Sequence, residues 1–224
     1  INKYMIKFQE WLQQKEDQTK LAIFDFDKTL AYTAEKPKGW KGEDWFSNPE
    51  SLEGDNFGGF NPHVLSAFIA AKKDPNTHAV MLTGRRSSIS PTVRQIFQNH
   101  GLFGKRTFPK RHPGNAFFQG HPEEEKPDSH SEFYKGDYDK ESDYPRYPRT
   151  GQPVQEVELW KTYIIEKLIT PNTQEIDLFE DKPENIAAFK KTIKQIYAKW
   201  PNVQFVKIHW VKPNSIETIP VDRD

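Results

Sequence analysis

The chain has 224 residues with 32 basic and 32 acidic side chains, and it contains no cysteine. This length fits one α/β domain with inserts, over residues 1–224, and is long enough for a substantial core. Zero net charge excludes a global field that attracts nucleic acid or an acidic membrane, so any such attraction must be local, and the lack of cysteine excludes disulfides and thiolate chemistry.

The beginning of the chain carries no apolar signal region, and no apolar run in the sequence approaches the ~18 residues of a membrane span. We therefore expect a cytoplasmic protein with no membrane partner. The first residue is Ile1 rather than Met, so a targeting segment could be missing from the printed sequence. Residues 2–16 place apolar side chains at helical spacing, which predicts an amphipathic helix packed against a sheet.

The stretch LAIFDFDKTL, residues 21–30, is the first strong signal. Its apolar beginning is too short for a helix and rich in strand formers, which predicts a buried parallel strand. That strand ends in Asp25 and Asp27, with Thr29 just beyond them. Ligands in open α/β sheets bind beyond the carboxyl ends of the strands, where these carboxylates would attract a cation. A bare pair of aspartates two residues apart is more often an ordinary polar turn, so the interpretation needs support from later features.

The next segment, residues 31–60, is rich in glycine, proline and aromatic side chains. Two interpretations of Trp40, Trp45 and Phe46 are open. These rings could stack on a base or a sugar, where each stacked base is worth roughly 1–3 kcal/mol. They could equally form a small core of the segment itself.

A helix and a strand follow this segment. The Asn-Pro pair at 61–62 predicts the start of a helix, and residues 78–83 predict a second short buried strand. A helix over residues 90–100 and a short strand near 106–109 are expected next. The residues at the end of the second strand are Thr83, Gly84, Arg85 and Arg86.

Residues 111–153 lose all periodicity and fill with proline, glycine, histidine, tyrosine and charge. More than ~15 structureless residues are unusual inside a compact domain, which predicts an insert or a small cap. The segment could be a solvated excursion, or it could gate the substrate or bind a partner. Its evenly spaced histidines are weak support for a metal site without cysteine, and we assign them no role.

Helical periodicity returns in the last third of the chain. Residues 154–170 predict a helix, residues 176–179 predict a strand, and another helix leads to a last strand over residues 203–210. The strand at 176–179 ends in two adjacent acids, Glu180 and Asp181. Strands separated by helices predict a parallel sheet with right-handed crossovers.

Four of these features resemble, in order, the four signatures of the haloacid dehalogenase (HAD) superfamily of phosphotransferases. They are the DFD stretch, the strand that ends in Thr83, Lys161 on its predicted helix, and the acidic pair 180–181. The ordered set is far more specific than any member alone. The resemblance implies a Rossmann-like α/β fold, with a central parallel sheet flanked by helices. It also implies that residues 31–60 form a flap over the active site and that residues 111–153 are a long irregular insert.

The resemblance also implies a role for each signature residue. The first aspartate of the family attacks phosphorus, so Asp25 would be the nucleophile and would become an aspartyl phosphate. Asp27 would protonate the leaving group and then activate water. Thr83 and the main-chain N–H groups near Gly84 would bind the phosphoryl oxygens, and Lys161 would neutralise them.

Other residues are candidates for contact with the substrate. Arg85 and Arg86 could grip a second phosphate or merely face solvent. Trp40 and Trp45 could contact the substrate from the flap.

The resemblance further implies a metal site formed by Asp25, the main-chain carbonyl of Asp27, Glu180 and Asp181. Mg²⁺ is the expected ion, because it prefers hard oxygen ligands in octahedral array. Two carboxylates ~4 Å apart repel by roughly 4 kcal/mol at an effective dielectric of ~20, so converging acids need a divalent cation. The family more often has two aspartates where Glu180 stands. We therefore expect Asp181 to contact the ion directly and Glu180 to act through water.

Three segments resemble a smaller group, the HAD domains of Swiss Army Knife RNA repair proteins: residues 40–52, 159–161 and 180–189. This likeness implies removal of a phosphate from a nucleic-acid end or a nucleotide. Neutral net charge suits a terminus or a small phosphoester better than tracking along a duplex. The rival interpretation is a non-catalytic HAD-fold module that binds phosphate or a partner, which the fold alone does not exclude. The sequence indicates no oligomeric state.

Overall fold

The computed structural model of the chain describes residues 18–42, 45–85, 89–102, 116–118 and 157–223. The helix predicted over 2–16 and the strand predicted near 106–109 lie outside these residues. So does the insert at 111–153, apart from one short strand within it. In the part of the chain that is described, no helix is both long and apolar enough to cross a membrane.

Strands and helices alternate along most of the described chain. The strands are β1 (Lys20–Phe24), β2 (Ala31–Thr33), β3 (Phe57–Phe60), β4 (Thr77–Thr83), β5 (Ala116–Phe118), β6 (Glu175–Glu180), β7 (Phe205–Lys212) and β8 (Ser215–Val221). The helices are α1 (Pro62–Lys73), α2 (Ser90–Asn99), α3 (Val157–Leu168) and α4 (Pro183–Lys199). Short 3₁₀ helices at Trp45–Ser47, Pro49–Leu52 and Gly54–Asn56 lie between β2 and β3.

A six-stranded sheet with the order β5-β4-β1-β6-β7-β8 forms the centre of the molecule. Its neighbours are parallel from β5 to β7, and β8 runs antiparallel to β7 at the edge. In β1, Phe24 pairs with Phe179 of β6. Because these strands are parallel, Asp25, Thr83 and Glu180 lie at the same edge of the sheet.

Both faces of the sheet are covered by helices. Side chains of a strand alternate between its two faces, and β1 shows this alternation in its packing. Leu21 and Ile23 pack in a core with α3 and α4, which includes the buried Trp160. Ala22 and Phe24 pack in a second core with α1 and α2. A strand buried on both faces explains the continuous apolar run at this point of the sequence.

The flap predicted over residues 31–60 contains a small antiparallel sheet of β2 and β3. The 3₁₀ helices lie in the connection between these two strands. Asn48 caps one of them, because its side chain accepts a hydrogen bond from the Glu50 N–H at 3.0 Å. Trp45 is buried, with 2% of its surface exposed.

The expected fold class is confirmed: the chain is an α/β protein with a mostly parallel central sheet flanked by helices. Several elements differ from the prediction. The last strand of the sequence-based prediction ends at residue 210, whereas β7 continues to Lys212 and is followed by the unpredicted antiparallel strand β8. This strand contains Pro220, which is tolerated at a sheet edge but is a poor strand signal in sequence. The pairing of β2 with β3 was also not predicted, because these strands are only three and four residues long.

Candidate active site

The turn after β1 carries both aspartates of the DFD stretch. The Asp25 N–H continues the ladder by donating to the Phe179 carbonyl at 3.0 Å, and the Asp25 carbonyl accepts from the Leu30 N–H at 3.2 Å. Lys28 has a φ of 55°, a left-handed conformation that is uncommon for residues other than glycine. The chain therefore turns tightly between β1 and β2, and Asp25 stays buried at the sheet edge.

Three carboxyl groups converge at this edge. Asp25, Glu180 and Asp181 each offer one carboxylate oxygen, and these oxygens lie within 4.8 Å of one another. The first residue follows β1, and the other two stand at the end of β6, so neighbouring parallel strands supply them. This closeness is the geometric condition for a metal site shared between Asp25 and Asp181.

Lys161 lies between two of these acids. Its Nζ is 2.8 Å from Asp25 Oδ1 and 2.8 Å from Glu180 Oε2, and the side chain is buried. Burial alone would lower the pKa of Lys161, but the charges of Asp25 and Glu180 outweigh burial and raise it. The lysine is therefore a permanent cation inside the site. Its neighbour Trp160 is buried in the core, which anchors this turn of α3.

Glu180 has partners on both carboxylate oxygens. Oε2 accepts from Lys161, and Oε1 accepts from the main-chain N–H groups of Asp181 at 3.2 Å and Lys182 at 3.1 Å. Burial would raise the pKa of Glu180, but Lys161, followed by the Lys182 N–H, lowers it. Glu180 is thus held as a carboxylate whose contacts are largely taken up by the protein itself.

Asp181 is more open to an added ligand. Thr29 Oγ1 donates to Asp181 Oδ1 at 3.1 Å, and Trp210 Nε1 donates to the Asp181 carbonyl at 3.1 Å. Burial, followed by the charge of Glu180, raises the pKa of the Asp181 carboxyl to about 6. Burial also raises the pKa of Asp25 well above its usual range, with Glu180 adding to the shift and Lys161 opposing it.

Burial and the repulsion between the acids both disfavour the charged carboxylates of Asp25 and Asp181, and Lys161 offsets these effects only in part. Both raised pKa values belong to carboxyls whose charged form a divalent cation would stabilise. All the offered ligand atoms are carboxylate oxygens, which are the ligands that hard divalent cations prefer. The residues present therefore fit such an ion, held by Asp25 and Asp181 with Glu180 beside them.

The strand β4 supplies the phosphate-binding candidates Thr83 and Gly84. Thr83 is fully buried, and its Oγ1 accepts a hydrogen bond from the Arg85 N–H at 3.2 Å. A Cβ on Gly84 would lie 2.7 Å from Val157 Cγ1, at the start of α3. Glycine at this position therefore favours the close approach of Val157 in α3, the helix that carries Lys161 one turn later.

Arg85 does not face solvent. The side chain is buried, and its Nε lies 3.0 Å from both carboxylate oxygens of Asp27. Its Nη2 donates to Asp27 Oδ1 at 2.7 Å, so the two groups form a forked ion pair. Of the two alternatives raised from sequence, exposure to solvent is therefore wrong for Arg85. Arg86 lies outside the described residues.

The flap tryptophans lie against each other. The rings of Trp40 and Trp45 have centroids 4.9 Å apart and an interplanar angle of 71°. Trp45 is almost completely buried, which fits a role in the flap's own small core. Trp40 is only partly buried and stays a candidate for contact with a substrate.

Two hydroxyl residues in the site were missed by the sequence analysis. Thr33 Oγ1 donates to Asp27 Oδ1 at 2.8 Å, and Ser51 Oγ accepts from Arg85 Nη1 at 2.6 Å. No motif surrounds either residue, and serine and threonine are common in loops. Only the position of Ser51 inside the family-like segment 40–52 could have drawn attention to it.

The chain matches a known family along almost its whole length. Residues 22–222 match the family described as HAD domain family 1 in Swiss Army Knife RNA repair proteins. This span includes every residue of the candidate site, from Asp25 to Trp210. Searches of curated proteins and of solved structures returned no match.

The contact of Gly84 with α3 predicts the effect of a single added methyl group. Gly84→Ala should lower the free energy of unfolding by about 1–3 kcal/mol, because its Cβ overlaps Val157. Urea unfolding would measure this loss. The double variant Gly84→Ala/Val157→Ala removes the overlapping methyl groups of Val157. Its loss in free energy of unfolding should be smaller, by at least ~1 kcal/mol, than the sum of the losses in the two single variants. Additive losses would show that the overlap is relieved elsewhere.

The raised pKa of Asp181 predicts the pH dependence of cation binding. The carboxyl must lose its proton before it binds a cation, so protonation of Asp181 should lower affinity by up to about tenfold per pH unit below about pH 6. The raised pKa of Asp25, the other ligand, should add to this loss as the pH falls. Isothermal titration calorimetry with a divalent cation between pH 5 and 8 measures this. Asp181→Asn should weaken binding at pH 8 and reduce the slope below pH 6. Affinity that stays flat down to pH 5 would contradict the assignment.

Proposed function

The chain belongs to HAD domain family 1 of Swiss Army Knife RNA repair proteins, and we propose that it is a Mg²⁺-dependent phosphomonoester hydrolase. Membership supports a phosphatase-type function in general. The specific proposal rests on one observation: Lys161 Nζ lies 2.8 Å from Asp25 Oδ1, beside the two further acids Glu180 and Asp181. A buried nucleophile beside a fixed cation is what attack on an anionic phosphate requires.

In the proposed reaction, a carboxylate oxygen of Asp25 forms a bond to phosphorus while the bond from phosphorus to the ester oxygen breaks. Asp27 transfers a proton to the departing oxygen, which leaves as an alcohol. Asp27 then takes a proton from water as that water attacks the phosphorus of the aspartyl phosphate. Inorganic phosphate leaves, and Asp25 is restored. The other Asp25 oxygen, held by Lys161, keeps the carboxylate in one orientation.

The phosphoryl oxygens would be bound by groups around Asp25. The Thr83 oxygen already accepts from the Arg85 N–H, so its hydroxyl hydrogen can donate to a phosphoryl oxygen. Lys161 supplies a nearby positive charge, and the N–H groups after Thr83 supply further donors. These contacts stabilise the charge that spreads over the phosphoryl oxygens in the transition state.

Mg²⁺ is the cation that we propose for the acidic cluster. Asp25, Asp181 and the main-chain carbonyl of Asp27 would hold it, and Glu180 would contact it through water. When bound, the ion neutralises the phosphoryl oxygens and the acids around them. Glu180 is the weaker direct ligand, since its oxygens already accept from Lys161 and two main-chain N–H groups.

We propose a phosphate at a nucleic-acid end, or on a nucleotide, as the substrate. The family name supports this choice, and the partly exposed Trp40 could stack on a terminal base. The flap carries three lysines against six acids, so the proposed contact beyond the phosphate rests on the Trp40 ring rather than on a basic patch. The neutral net charge of the chain suits a terminus better than a long duplex.

A non-catalytic phosphate-binding module is the alternative. It would need the HAD fold but no complete catalytic set. The chain keeps an acid at positions 25, 27 and 181, the hydroxyl of Thr83 and the ammonium of Lys161. Lys161 contacts Asp25, Thr29 donates to Asp181, and carboxylate oxygens of the two aspartates lie within 4.8 Å of each other. This completeness favours the enzyme.

The proposed mechanism predicts that turnover needs both the nucleophile and the metal. Asp25→Asn should lower kcat for an aryl phosphate at least about a thousandfold, because asparagine cannot form the aspartyl-phosphate intermediate. Removal of Mg²⁺ with a chelator should have a comparable effect, reversed by added Mg²⁺. Glu184→Gln is the control, because Glu184 is an exposed acid in the first turn of α4. Turnover that ignores both changes would refute the mechanism.

The proposed substrate class predicts a preference among phosphate esters. Oligonucleotides with a 3′-, 5′- or 2′-phosphate should react with higher kcat/KM than free sugar phosphates, because Trp40 of the flap offers a ring for a base beyond the phosphate site. Release of inorganic phosphate from each substrate measures the order. Reaction with the small molecules alone would contradict the nucleic-acid assignment while leaving the phosphatase assignment intact.

A further inference from the structure

Arg85 joins the flap to the DFD turn. Nε and Nη2 of its guanidinium donate to the Asp27 carboxylate, at 3.0 and 2.7 Å. Nη1 donates to the Phe46 carbonyl at 3.0 Å and to Ser51 Oγ at 2.6 Å, both in the 3₁₀ helices of the flap. These bonds use four of the five guanidinium N–H groups. Most hydrogen-bond donors of the guanidinium are therefore used within the protein rather than on a ligand.

Burial makes this arrangement costly to disturb. The Arg85 side chain is fully buried, and a buried charge is tolerated only with a charge partner and satisfied hydrogen bonds. The guanidinium carbon also lies 5.8 Å from the Phe26 ring centre and 5.4 Å from that of Phe46. Loss of the flap contacts would remove both acceptors that Nη1 has among the described residues, so flap position and the Arg85–Asp27 pair depend on each other.

The Asp27 carboxylate is oriented from two sides. Thr33 Oγ1 donates to Oδ1 from β2, and the Arg85 fork contacts both oxygens from the end of β4. On the flap side, the Ser51 hydroxyl donates to the Asn48 carbonyl at 2.7 Å while it accepts from Arg85. The chain of contacts from the flap turn to Asp27 is thus continuous, with each donor matched to an acceptor.

We propose that Arg85 is a positioning residue that holds Asp27 for proton transfer to the leaving-group oxygen and couples the orientation of that acid to the position of the flap. This inference rests on the proposed phosphatase function and deepens it. Proton transfer matters most when the departing oxygen is a poor leaving group, as in phosphate esters of aliphatic alcohols and sugar hydroxyls. The natural substrate class is accordingly an alkyl phosphate, of which a phosphorylated nucleic-acid end is one kind.

Esters with different leaving groups distinguish a role of Arg85 in positioning Asp27 from a role of Arg85 in binding phosphate. In the first half-reaction the phosphoryl group moves to Asp25, and the protonated Asp27 carboxyl gives its proton to the ester oxygen as the bond from that oxygen to phosphorus breaks. The carboxylate that Asp27 becomes in this step is the form that Arg85 and Thr33 bind in the structure. An activated aryl phosphate, whose phenolate is stable without that proton, needs the acid little. A residue that grips phosphate would affect both ester types equally, because the phosphoryl group is the same.

The experiment measures kcat/KM, which reports on the first half-reaction, for two esters. They are a nucleoside monophosphate and 2,4-dinitrophenyl phosphate. Arg85→Lys should lower the value for the alkyl ester by ~100-fold or more and for the aryl ester by less than ~10-fold. Ser51→Ala should shift the ratio in the same direction by a smaller factor. Glu50→Ala, an exposed neighbour of Ser51, should leave both values unchanged. Equal losses on both esters after Arg85→Lys would overturn the proposal.

Hydrogen exchange tests the link without relying on turnover. Asp27→Asn and Arg85→Lys should speed exchange of flap amides such as the Ser51 N–H, which donates to the Asn48 carbonyl at 3.0 Å. Exchange in the strands β1 and β6 should stay slow, which shows that each variant is folded, and Glu184→Gln should change neither region. Unchanged flap exchange overturns the coupling. A wild-type protein that hydrolyses neither ester overturns the proposed function instead, whatever the exchange result.

Discussion

The buried ion pair of Lys161 with Asp25 and Glu180 is the interaction on which the rest of the site depends. It joins α3 to the ends of β1 and β6 through two contacts of 2.8 Å, inside a region where an unpaired charge would be very unfavourable. Three elements distant in sequence are thereby fixed in one arrangement. Gly84 contributes to this arrangement, because its lack of a side chain lets α3 lie close to the end of β4, where Lys161 reaches Asp25 and Glu180.

The charges of the site are unequal in a way that suits a metal-dependent phosphoryl transfer. Four carboxyl groups meet two buried cations, and Arg85 is engaged with Asp27 rather than with the other three acids. Lys161 alone faces Asp25, Glu180 and, at longer range, Asp181. Burial, followed by the charge of Glu180, raises the pKa values of Asp25 and Asp181, and a divalent cation would oppose both effects. The two aspartates of the DFD stretch therefore have different environments, which suits different roles.

Much of the fold followed from hydrophobic pattern alone. Short apolar runs at 21–24, 78–83 and 176–179 each end in polar residues, and parallel strands bring such ends to one edge of a sheet. The antiparallel strand β8 and the pairing of β2 with β3 were missed, because edge and flap strands are short, partly exposed and have little periodicity. Both kinds of strand are defined by their partners rather than by their own composition.

What the sequence determined by itself is the set of groups at the sheet edge: the residue types, their order and the strands that carry them, since these depend on local pattern. What only the tertiary structure decided is how those groups pair. From sequence, Arg85 could either bind a phosphate or face solvent. In the structure it is buried against Asp27, because its side chain also donates to Phe46 and Ser51, which lie 39 and 34 residues earlier in the chain. Side-chain partners of this kind are set by long-range packing, and no local spacing encodes them.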